Sequence, residues 1–244
     1  MKAIIGLDAG HGGNSSGTYS INTTKDGLFE KDYALEVALL MEEHLLRNGF
    51  GVVMSRRTDI NPGNVSKRAE KMIAQNCDYA VSIHFNGFEN QSANGTEVFV
   101  PFGEKYATIE VGFHNVLNKY FRVRTPFARS NRSGDRNDVY DKKMNLGTKR
   151  FEAVYEKKDY FGFIRTCWEK GISADLLEIC FLTNPEDFKN FTEHKKEIAE
   201  GLAKAIVEAF GEKYVAVVAK KKSTKKTVTK KVAGKLNERI DMVN

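Results

Sequence analysis

The chain has 244 residues, of which 41% are hydrophobic, so it is long enough for one large domain with a packed core and a further segment. Its net charge of +6 is concentrated in residues 213–244, where ten Lys and Arg stand against two Asp and Glu, so residues 1–212 carry a net −2. A near-neutral body argues against a nucleic-acid-binding domain, and the sequence contains no apolar stretch long enough to insert across a membrane.

The three cysteines, Cys77, Cys167 and Cys180, are an odd number without a closely spaced pair. This pattern argues against a disulfide framework and against a cysteine-ligated zinc site. We therefore expect three reduced, buried thiols and synthesis in a reducing compartment. Because the N-terminus leads directly into the first predicted strand, without a secretion signal, we expect the protein to be made in the cytoplasm.

The first predicted element is a buried strand that ends in a glycine-rich turn. Residues 3–9 form a short apolar run, and Gly-His-Gly-Gly follows at positions 10–13. Glycine allows a sharp bend and a close approach by another group, and His11 brings an imidazole to the turn. We interpret His11 as a candidate metal ligand. The alternative is a structural histidine, since histidine is intermediate in burial.

A polar loop follows, and a helix is then predicted from about Glu30 to Asn48, where Asn48 and Gly49 supply the stop. Glu30 lies one turn before Ala34, on the face that carries the apolar residues. An inward-facing carboxylate needs a partner, because burying an unpaired charge is costly. The alternative is a glutamate favoured at the N-terminus by the helix dipole, which explains the residue type but not its orientation.

The next elements are predicted as a strand at 51–56, a helix at 65–76, a second central strand at 78–86, a strand at 96–100 and a helix at 104–121. His84 lies near the end of the second central strand, just as His11 follows the end of the first. Residues 122–170 mix charged and aromatic residues without a clear period. They predict surface helices or a hairpin over the site, and a solvated excursion without a substrate role is the alternative.

The pattern returns at residues 175–182, an apolar strand that contains one carboxylate, Glu178. Asn184 as a cap and Pro185 in the first turn then predict the start of a helix, and a final amphipathic helix is expected at 193–210. This alternation predicts an α/β fold with a mostly parallel, twisted sheet and helices on both faces.

Four candidate residues fall at strand ends or at a helix start: His11, Glu30, His84 and Glu178. In open α/β sheets the ligand crevice lies beyond the carboxyl ends of the strands. Two imidazoles and one carboxylate are a common ligand set for catalytic zinc, and a further carboxylate set in an apolar strand has the raised pKa suited to proton transfer. The set predicts metal-assisted hydrolysis of an amide.

Four short motifs occur in order along the chain: Asp-Ala-Gly-His-Gly-Gly at 8–13, Glu-Lys-Asp at 30–32, Ser-Ile-His-Phe-Asn at 82–86 and Leu-Glu-Ile-Cys-Phe-Leu-Thr-Asn-Pro at 177–185. With these motifs, residues 1–212 resemble the zinc-dependent N-acetylmuramoyl-L-alanine amidases of the Amidase_3 family, whose fold is phosphorylase/hydrolase-like. Three departures from the family pattern, Ala9, Ser173 and Cys180, remove none of the candidate residues.

The resemblance implies zinc bound by His11, Glu30 and His84, with Glu178 as the catalytic carboxylate. It also implies peptidoglycan as the substrate, cleaved at the amide between the lactyl group of muramic acid and the L-alanine of the stem peptide. The stretch 122–170 is longer than in compact members of the family, which leaves the preferred stem peptide open.

Two further residues are candidates for substrate binding, Asn86 at the end of the second central strand and Arg68. Arg57 and Arg68 match positions that are often basic in the family. The alternative for both arginines is a salt bridge or a place on a helix surface.

Residues 213–244 are predicted to form a Lys-rich flexible linker or tail beside a zinc amidase domain at 1–212, because residues 220–231 are a low-complexity run of Lys, Thr, Ser and Val. A basic arm of this kind attracts anionic wall polymers in a salt-dependent way. The alternative is a plain linker to a wall-binding module.

Two biological settings fit the expected lack of a secretion signal. We favour a phage endolysin that acts on the cell wall after release, over a host autolysin of mother-cell lysis. A non-catalytic wall-binding protein on the same fold and a nucleic-acid-binding protein that uses the Lys-rich tail are the remaining hypotheses. The four-residue set argues against the first of these, and the near-neutral body argues against the second.

Overall fold

The computed structural model describes residues 2–216, so the predicted tail lies outside the described residues except for 213–216. The described chain forms these elements: β1 (Ile4–Ala9), α1 (Thr23–Asp26), α2 (Glu30–Arg47), β2 (Gly51–Met54), α3 (Val65–Ala74), β3 (Tyr79–Asn86), β4 (Thr96–Phe99), α4 (Thr108–Leu117), β5 (Val123–Asn131), β6 (Val139–Asp141), β7 (Met144–Asn145), β8 (Arg150–Phe151), α5 (Gly162–Trp168), β9 (Ser173–Phe181) and α6 (Pro185–Ala209). None of the helices in this part of the chain is both long and apolar enough to cross a membrane.

Seven of the strands form one sheet in the order β2-β1-β3-β9-β4-β5-β6. Strands β2, β1, β3 and β9 are parallel to one another, and β4 is parallel to β5. The pairs β4–β9 and β5–β6 are antiparallel. The predicted α/β fold with a mostly parallel sheet is therefore confirmed, with an antiparallel join in its second half that the sequence pattern did not indicate.

Helices cover both faces of this sheet. Successive strand residues point to opposite sides, and the strands carry apolar residues on both, so each face needs a covering layer. On β1, Ile5 and Leu7 join the large core formed with α2, α4 and α6, whereas Ile4 packs with α3 and α5. The predicted apolar face of α2 is fully buried in the large core and consists of Ala34, Val37, Ala38, Met41 and Leu45. At Gly6 a β-carbon would lie 2.8 Å from the Sδ of Met72, so glycine lets α3 pack closely on what we call the α3/α5 face.

Two predicted boundaries near the helices differ from the structure. The helix expected from residue 104 begins only at Thr108, because the side chain of Glu104 accepts the backbone N–H groups of Lys105 and Tyr106 and forms a turn there. The helix start at Pro185 and the helix expected at 193–210 are one continuous helix, α6, capped by the side chain of Asn184.

The stretch 122–170 contains strands β5 to β8 and helix α5. Its antiparallel pairs β5–β6 and β7–β8 agree with the hairpin that was one of the two expectations, and its position over the site stays a prediction. The buried side chain of Lys142 anchors this stretch to the loop before α4. Its Nζ donates to the carbonyl oxygens of Phe102, Glu104 and Ala153 at 2.9, 3.1 and 2.9 Å. Burial lowers the pKa of Lys142 to about 8. A lysine in a charged stretch is expected at the surface, which is why the sequence did not indicate this contact.

A buried acidic pair, Asp175 of β9 and Glu110 of α4, lies within the protein, with the hydroxyl of Tyr79 donating to Asp175 Oδ2 at 2.7 Å. Burial raises the pKa of Asp175 to about 8; the Tyr79 hydrogen bond opposes the rise, and the charge of Glu104 adds to it. Burial also raises the pKa of Glu110 well above its usual range. The pair therefore retains a proton that an exposed acidic pair would lose.

This pair predicts a stability that depends on pH. An acid whose pKa is raised on folding stabilises the folded state below its unfolded pKa of 3.8, and that contribution is lost as the pH rises towards 8. Asp175→Asn should therefore flatten the decline of the free energy of unfolding between pH 4 and 8, by up to about 1.4 kcal/mol per pH unit. Urea unfolding at several pH values measures it, with exposed Asp135→Asn as the control. Equal slopes for the two variants would contradict the prediction.

Candidate active site

The candidate site lies at the edge of the sheet where β1, β3 and β9 end. His11 follows β1 in a tight turn with a φ of 58°, and Gly12 and Gly13 continue the turn with φ of 129° and 56°. A non-glycine residue in this left-handed region costs on the order of 1 kcal/mol. The turn therefore holds His11 in a strained conformation that projects its ring beyond the strand, and such strain is typical of functional positions.

Three predicted metal ligands converge at this edge. Nε2 of His11 lies 3.2 Å from Oε2 of Glu30, and Nδ1 of His84 lies 2.8 Å from Oε1 of the same carboxylate. One ligand atom from each of the three residues lies within 4.8 Å of the other two. The two imidazole rings meet edge-on, with centroids 4.9 Å apart. The structure thus brings together side chains separated by 73 positions of sequence, from residue 11 to residue 84.

Glu30 is the first residue of α2 and is only 4% exposed. Its carboxylate accepts the backbone N–H groups of Thr18 at 2.8 Å and Phe85 at 3.0 Å. Burial alone would raise the pKa of Glu30, but the hydrogen bonds and charges of His11 and His84 more than offset it and hold that pKa well below its usual range. Glu30 is therefore an ionised, fixed oxygen donor.

Two glycines make room for this cluster. A β-carbon at Gly10 would lie 2.6 Å from Cε1 of His84, and one at Gly17 would collide with Oε2 of Glu30. Gly17 also has a φ of 71°, in the region that favours glycine. The glycines therefore let the backbone pass directly beside the ligand atoms.

The ring of His11 is oriented from its outer side by Ser15, whose Oγ lies 3.0 Å from Nδ1. Such an outer partner fixes the orientation of a ligand ring and typically contributes 10- to 100-fold to metal affinity. Ser15→Ala should therefore weaken the binding of a metal ion by these three residues by about that factor. Competition with a zinc-chelating dye measures it, and Ser16→Ala, the next residue along the loop, is the control. Unchanged affinity in Ser15→Ala would contradict the role.

Glu178 of β9 lies directly opposite His84 in the parallel register of β3 and β9. Its Oε2 is buried and has no hydrogen-bond partner among residues 2–216. Burial raises the pKa of Glu178 well above its usual range, and the negative charges of Glu30 and Glu97 act in the same direction. A carboxyl of this kind, next to two imidazoles and a carboxylate, fits the donor set and the adjacent proton-transfer group of a catalytic zinc site.

The two predicted substrate-binding residues each contact a buried acidic side chain. Nη1 of Arg68 lies 3.1 and 3.0 Å from the two oxygens of the buried Asp8, which also accepts the hydroxyl of Ser82 at 2.6 Å. Arg68 thus forms the salt bridge that was its alternative, and a contact with substrate stays a prediction. Asn86 ends β3, and its amide donates to Oε1 of Glu97 at 2.9 Å.

Glu97 and two arginines were not among the sequence-predicted residues. Glu97 of β4 is 5% exposed, and Nε of Arg124 and of Arg129 lie 3.2 and 3.0 Å from its Oε2. Glu97 is paired in register with Glu178. The only sequence signal for Glu97 was a carboxylate inside the strand predicted at 96–100. Its place next to Glu178 depends on the antiparallel pairing of β4 with β9, which the sequence pattern did not indicate.

Residues 5–208 match the model of the Amidase_3 family, described as N-acetylmuramoyl-L-alanine amidase. Among curated proteins, the amidase AmiC of Neisseria meningitidis is 37% identical over 100 residues, which are 41% of this chain and 23% of that protein. The germination-specific N-acetylmuramoyl-L-alanine amidase of Bacillus subtilis is 27% identical over 227 residues, which cover 86% of this chain and 81% of that protein. The match to the first relative thus spans less than a quarter of its length.

Solved structures with the same fold include the catalytic domain of CwlV, an N-acetylmuramoyl-L-alanine amidase from Bacillus (Paenibacillus) polymyxa. It is 27% identical, with a TM-score of 0.59 over 87% of this chain and 100% of that one. Cwp6 from Clostridium difficile is 24% identical, with a TM-score of 0.64 over 86% of this chain and 29% of that one. The second likeness concerns the fold alone.

Proposed function

This chain belongs to the Amidase_3 family of N-acetylmuramoyl-L-alanine amidases, and from this premise we propose that it is a zinc-dependent peptidoglycan hydrolase. The scissile bond is the amide between the lactyl group of N-acetylmuramic acid and the L-alanine of the stem peptide. The observation that carries the proposal is the convergence of His11, Glu30 and His84 within 4.8 Å, beside Glu178 in the adjoining strand.

We assign His11, Glu30 and His84 as the residues that hold the zinc ion. When bound, zinc supplies a Lewis acid that polarises the amide carbonyl and lowers the pKa of a coordinated water to about 7. The chain contributes fixed donors, since Glu30 is held by two backbone N–H groups and His11 by Ser15. These contacts preorganise the ligand set, so little rearrangement is needed when the metal binds.

Glu178 is assigned the proton transfer. Its carboxylate accepts a proton from the attacking water as the carbon–oxygen bond forms, and then gives that proton to the amide nitrogen as the carbon–nitrogen bond breaks. The products are the free lactyl carboxylate and the free amino group of L-alanine. The unpartnered Oε2 supports this role, because no described residue competes for the proton that the carboxyl takes up and returns.

Removal of the metal tests the proposal directly. Dialysis against a chelator should abolish release of stem peptide from purified cell walls, and added zinc should restore it. The metal-loaded chain should also melt at a higher temperature, since a ligand that binds only the folded state stabilises it. Mass spectrometry of the digested muropeptides identifies the bond cleaved. Chelator-insensitive release, or products of a glycosidase or an endopeptidase, would contradict the proposal.

A non-catalytic wall-binding protein on the same fold is the second candidate. It predicts that the chain sediments with intact walls without releasing peptide. Nothing in such a function requires an unpartnered carboxyl oxygen at Glu178 near three converging donors, so we favour the enzyme.

For the setting, we propose a phage endolysin made in the cytoplasm, and the likeness to a germination-specific amidase supports a host autolysin as the alternative. Induction of the full chain in host cells should leave them intact until a membrane-permeabilising protein is co-expressed. Wall cleavage confined to sporulating or germinating cells would favour the autolysin. The attraction of the basic tail to anionic wall polymers is tested by comparing wall binding at low and high salt, with and without residues 217–244.

A further inference from the structure

A second group of charges adjoins Glu178 on the α3/α5 face of the sheet. Glu178 is paired in register with His84 of β3 on one side and with Glu97 of β4 on the other. Residues directly opposite each other in neighbouring strands place their side chains on the same face. Glu97 therefore continues the row of site residues one strand further, towards β5.

Two arginines of β5 meet the single carboxylate of Glu97. The Nε atoms of Arg124 and Arg129 both approach Oε2 of Glu97 at ion-pair distance, and the other oxygen accepts the amide of Asn86. Two guanidinium groups against the one carboxylate that contacts them leave one positive charge in excess within this contact. This excess lies one strand away from Glu178.

The group is not internally satisfied. Three of its buried atoms lack a hydrogen-bond partner within residues 2–216: Oε2 of Glu97, Nε of Arg124 and Oε2 of Glu178. The arginine contacts to Glu97 therefore have the distance of an ion pair without the alignment of a hydrogen bond. Buried polar atoms are nearly always hydrogen-bonded, so this group is a polar region whose own contacts leave it short of partners.

Both arginines remain partly accessible, with side chains 30% and 18% exposed. The guanidinium carbon of Arg124 lies 5.2 Å from the centre of the Phe181 ring, which helps to fix its plane. The terminal nitrogens of both arginines make no hydrogen bond to the described part of the chain, since only Nε of Arg129 donates, to the carbonyl of Pro126. A planar guanidinium with free terminal N–H groups matches the geometry of a carboxylate.

We propose that Arg124 and Arg129 form a carboxylate-binding subsite for the peptide half of the substrate. The inference rests on the proposed amidase function. In that substrate the lactyl carboxyl is consumed in the scissile amide, so the N-acetylated sugar half is uncharged, whereas the stem peptide carries free carboxylates. The excess positive charge therefore directs the stem peptide over β4 and β5, and the sugar over the opposite side of the site.

The first test uses the unmodified, zinc-loaded full chain. Titration calorimetry compares the product dipeptide L-alanyl-D-glutamate with the same dipeptide whose glutamate carboxyls are amidated. We expect the free-carboxylate form to bind roughly 10-fold more tightly, as one charged hydrogen-bonded contact implies. The KM values of the two matching muramoyl dipeptides should differ in the same direction. Equal affinity for the two dipeptides would overturn the proposal.

Variants of the two arginines then test whether these side chains bind the carboxylate. Arg124→Gln should reduce the preference to less than about 2-fold by weakening only the free-carboxylate form, while Arg129 still holds Glu97. Lys204→Gln on α6, which removes one positive charge from an exposed i,i+4 pair with Glu208, should keep the full preference. If Arg124→Gln is not recovered folded, Arg129→Gln takes its place. Equal weakening of both dipeptides would mean that the arginine only supports the fold, and would overturn the assignment.

Failure of the amidase function and failure of the carboxylate subsite give different results. Turnover of the amidated muramoyl dipeptide by the wild-type chain tests the amidase function without the subsite. If neither substrate is cleaved, the amidase proposal fails, and the calorimetric preference still decides whether the arginines bind a carboxylate.

Discussion

Glu178→Gln should lower kcat for release of stem peptide by about 1,000-fold, within the range of 10²–10⁴ that a proton-transferring side chain contributes. Glutamine keeps the size of the side chain but neither takes nor returns a proton. Because Glu178 is assigned no metal ligand role, the variant should bind zinc with the wild-type stoichiometry and retain the wild-type KM. Steady-state turnover of a muramoyl dipeptide and metal analysis of the same preparation measure both quantities.

The matched control is Glu186→Gln, an exposed carboxylate in the first turn of α6, which should leave kcat unchanged. A Glu178→Gln variant that keeps more than a tenth of the wild-type kcat would remove Glu178 from proton transfer. Loss of zinc together with activity would instead make Glu178 part of the metal site.

Glu30→Gln should abolish both zinc binding and turnover. The substitution removes the negative charge that faces His11 and His84, and it turns an N–H₂ group towards one of the two backbone N–H donors that the carboxylate now accepts. Outer contacts alone contribute 10- to 100-fold to metal affinity, so loss of a ligand should exceed about 100-fold. Zinc content after gel filtration and peptide release from walls measure the effect.

Glu36→Gln tests whether the effect belongs to the site or to helix α2. Glu36 lies on the same helix but is partly exposed and paired with Lys195, so its variant should retain zinc and activity. Stoichiometric zinc in Glu30→Gln would show that Glu30 is not a ligand, and the metal would then have to be assigned to other donors.

The fold was predictable from the sequence where the period was clear. Strand β1 and helix α2 have strong apolar periodicity, and both were expected within about two residues of their observed bounds. His11 and His84 were found because parallel strands end at the same edge of a sheet, so residues at those ends meet whatever their distance in sequence. That rule needs only the strand pattern, not the order of strands.

The group around Glu97 could not be found in the same way. Its contact with Glu178 requires β4 to run antiparallel to β9, a pairing that depends on the whole sheet and leaves no local signal. Arg124 and Arg129 lie in a segment without a clear period, and Lys142, which holds that segment, is a fully buried charge that composition assigns to the surface. Non-local pairing and buried charge are the two features that sequence periodicity does not encode.

Strand β5 is irregular between its two arginines. Arg124 and Arg129 are separated by five positions, so a regular strand would direct them to opposite faces. Between Val98 and Thr96 the register shifts, and five residues of β5 span the length of two residues of β4, which turns both arginines to one carboxylate. Insertion or deletion of a single residue in 124–127 would swing one guanidinium away. Segment grafts at this bulge are therefore a way to re-tune which peptides are accepted, while every residue assigned to bond cleavage stays untouched.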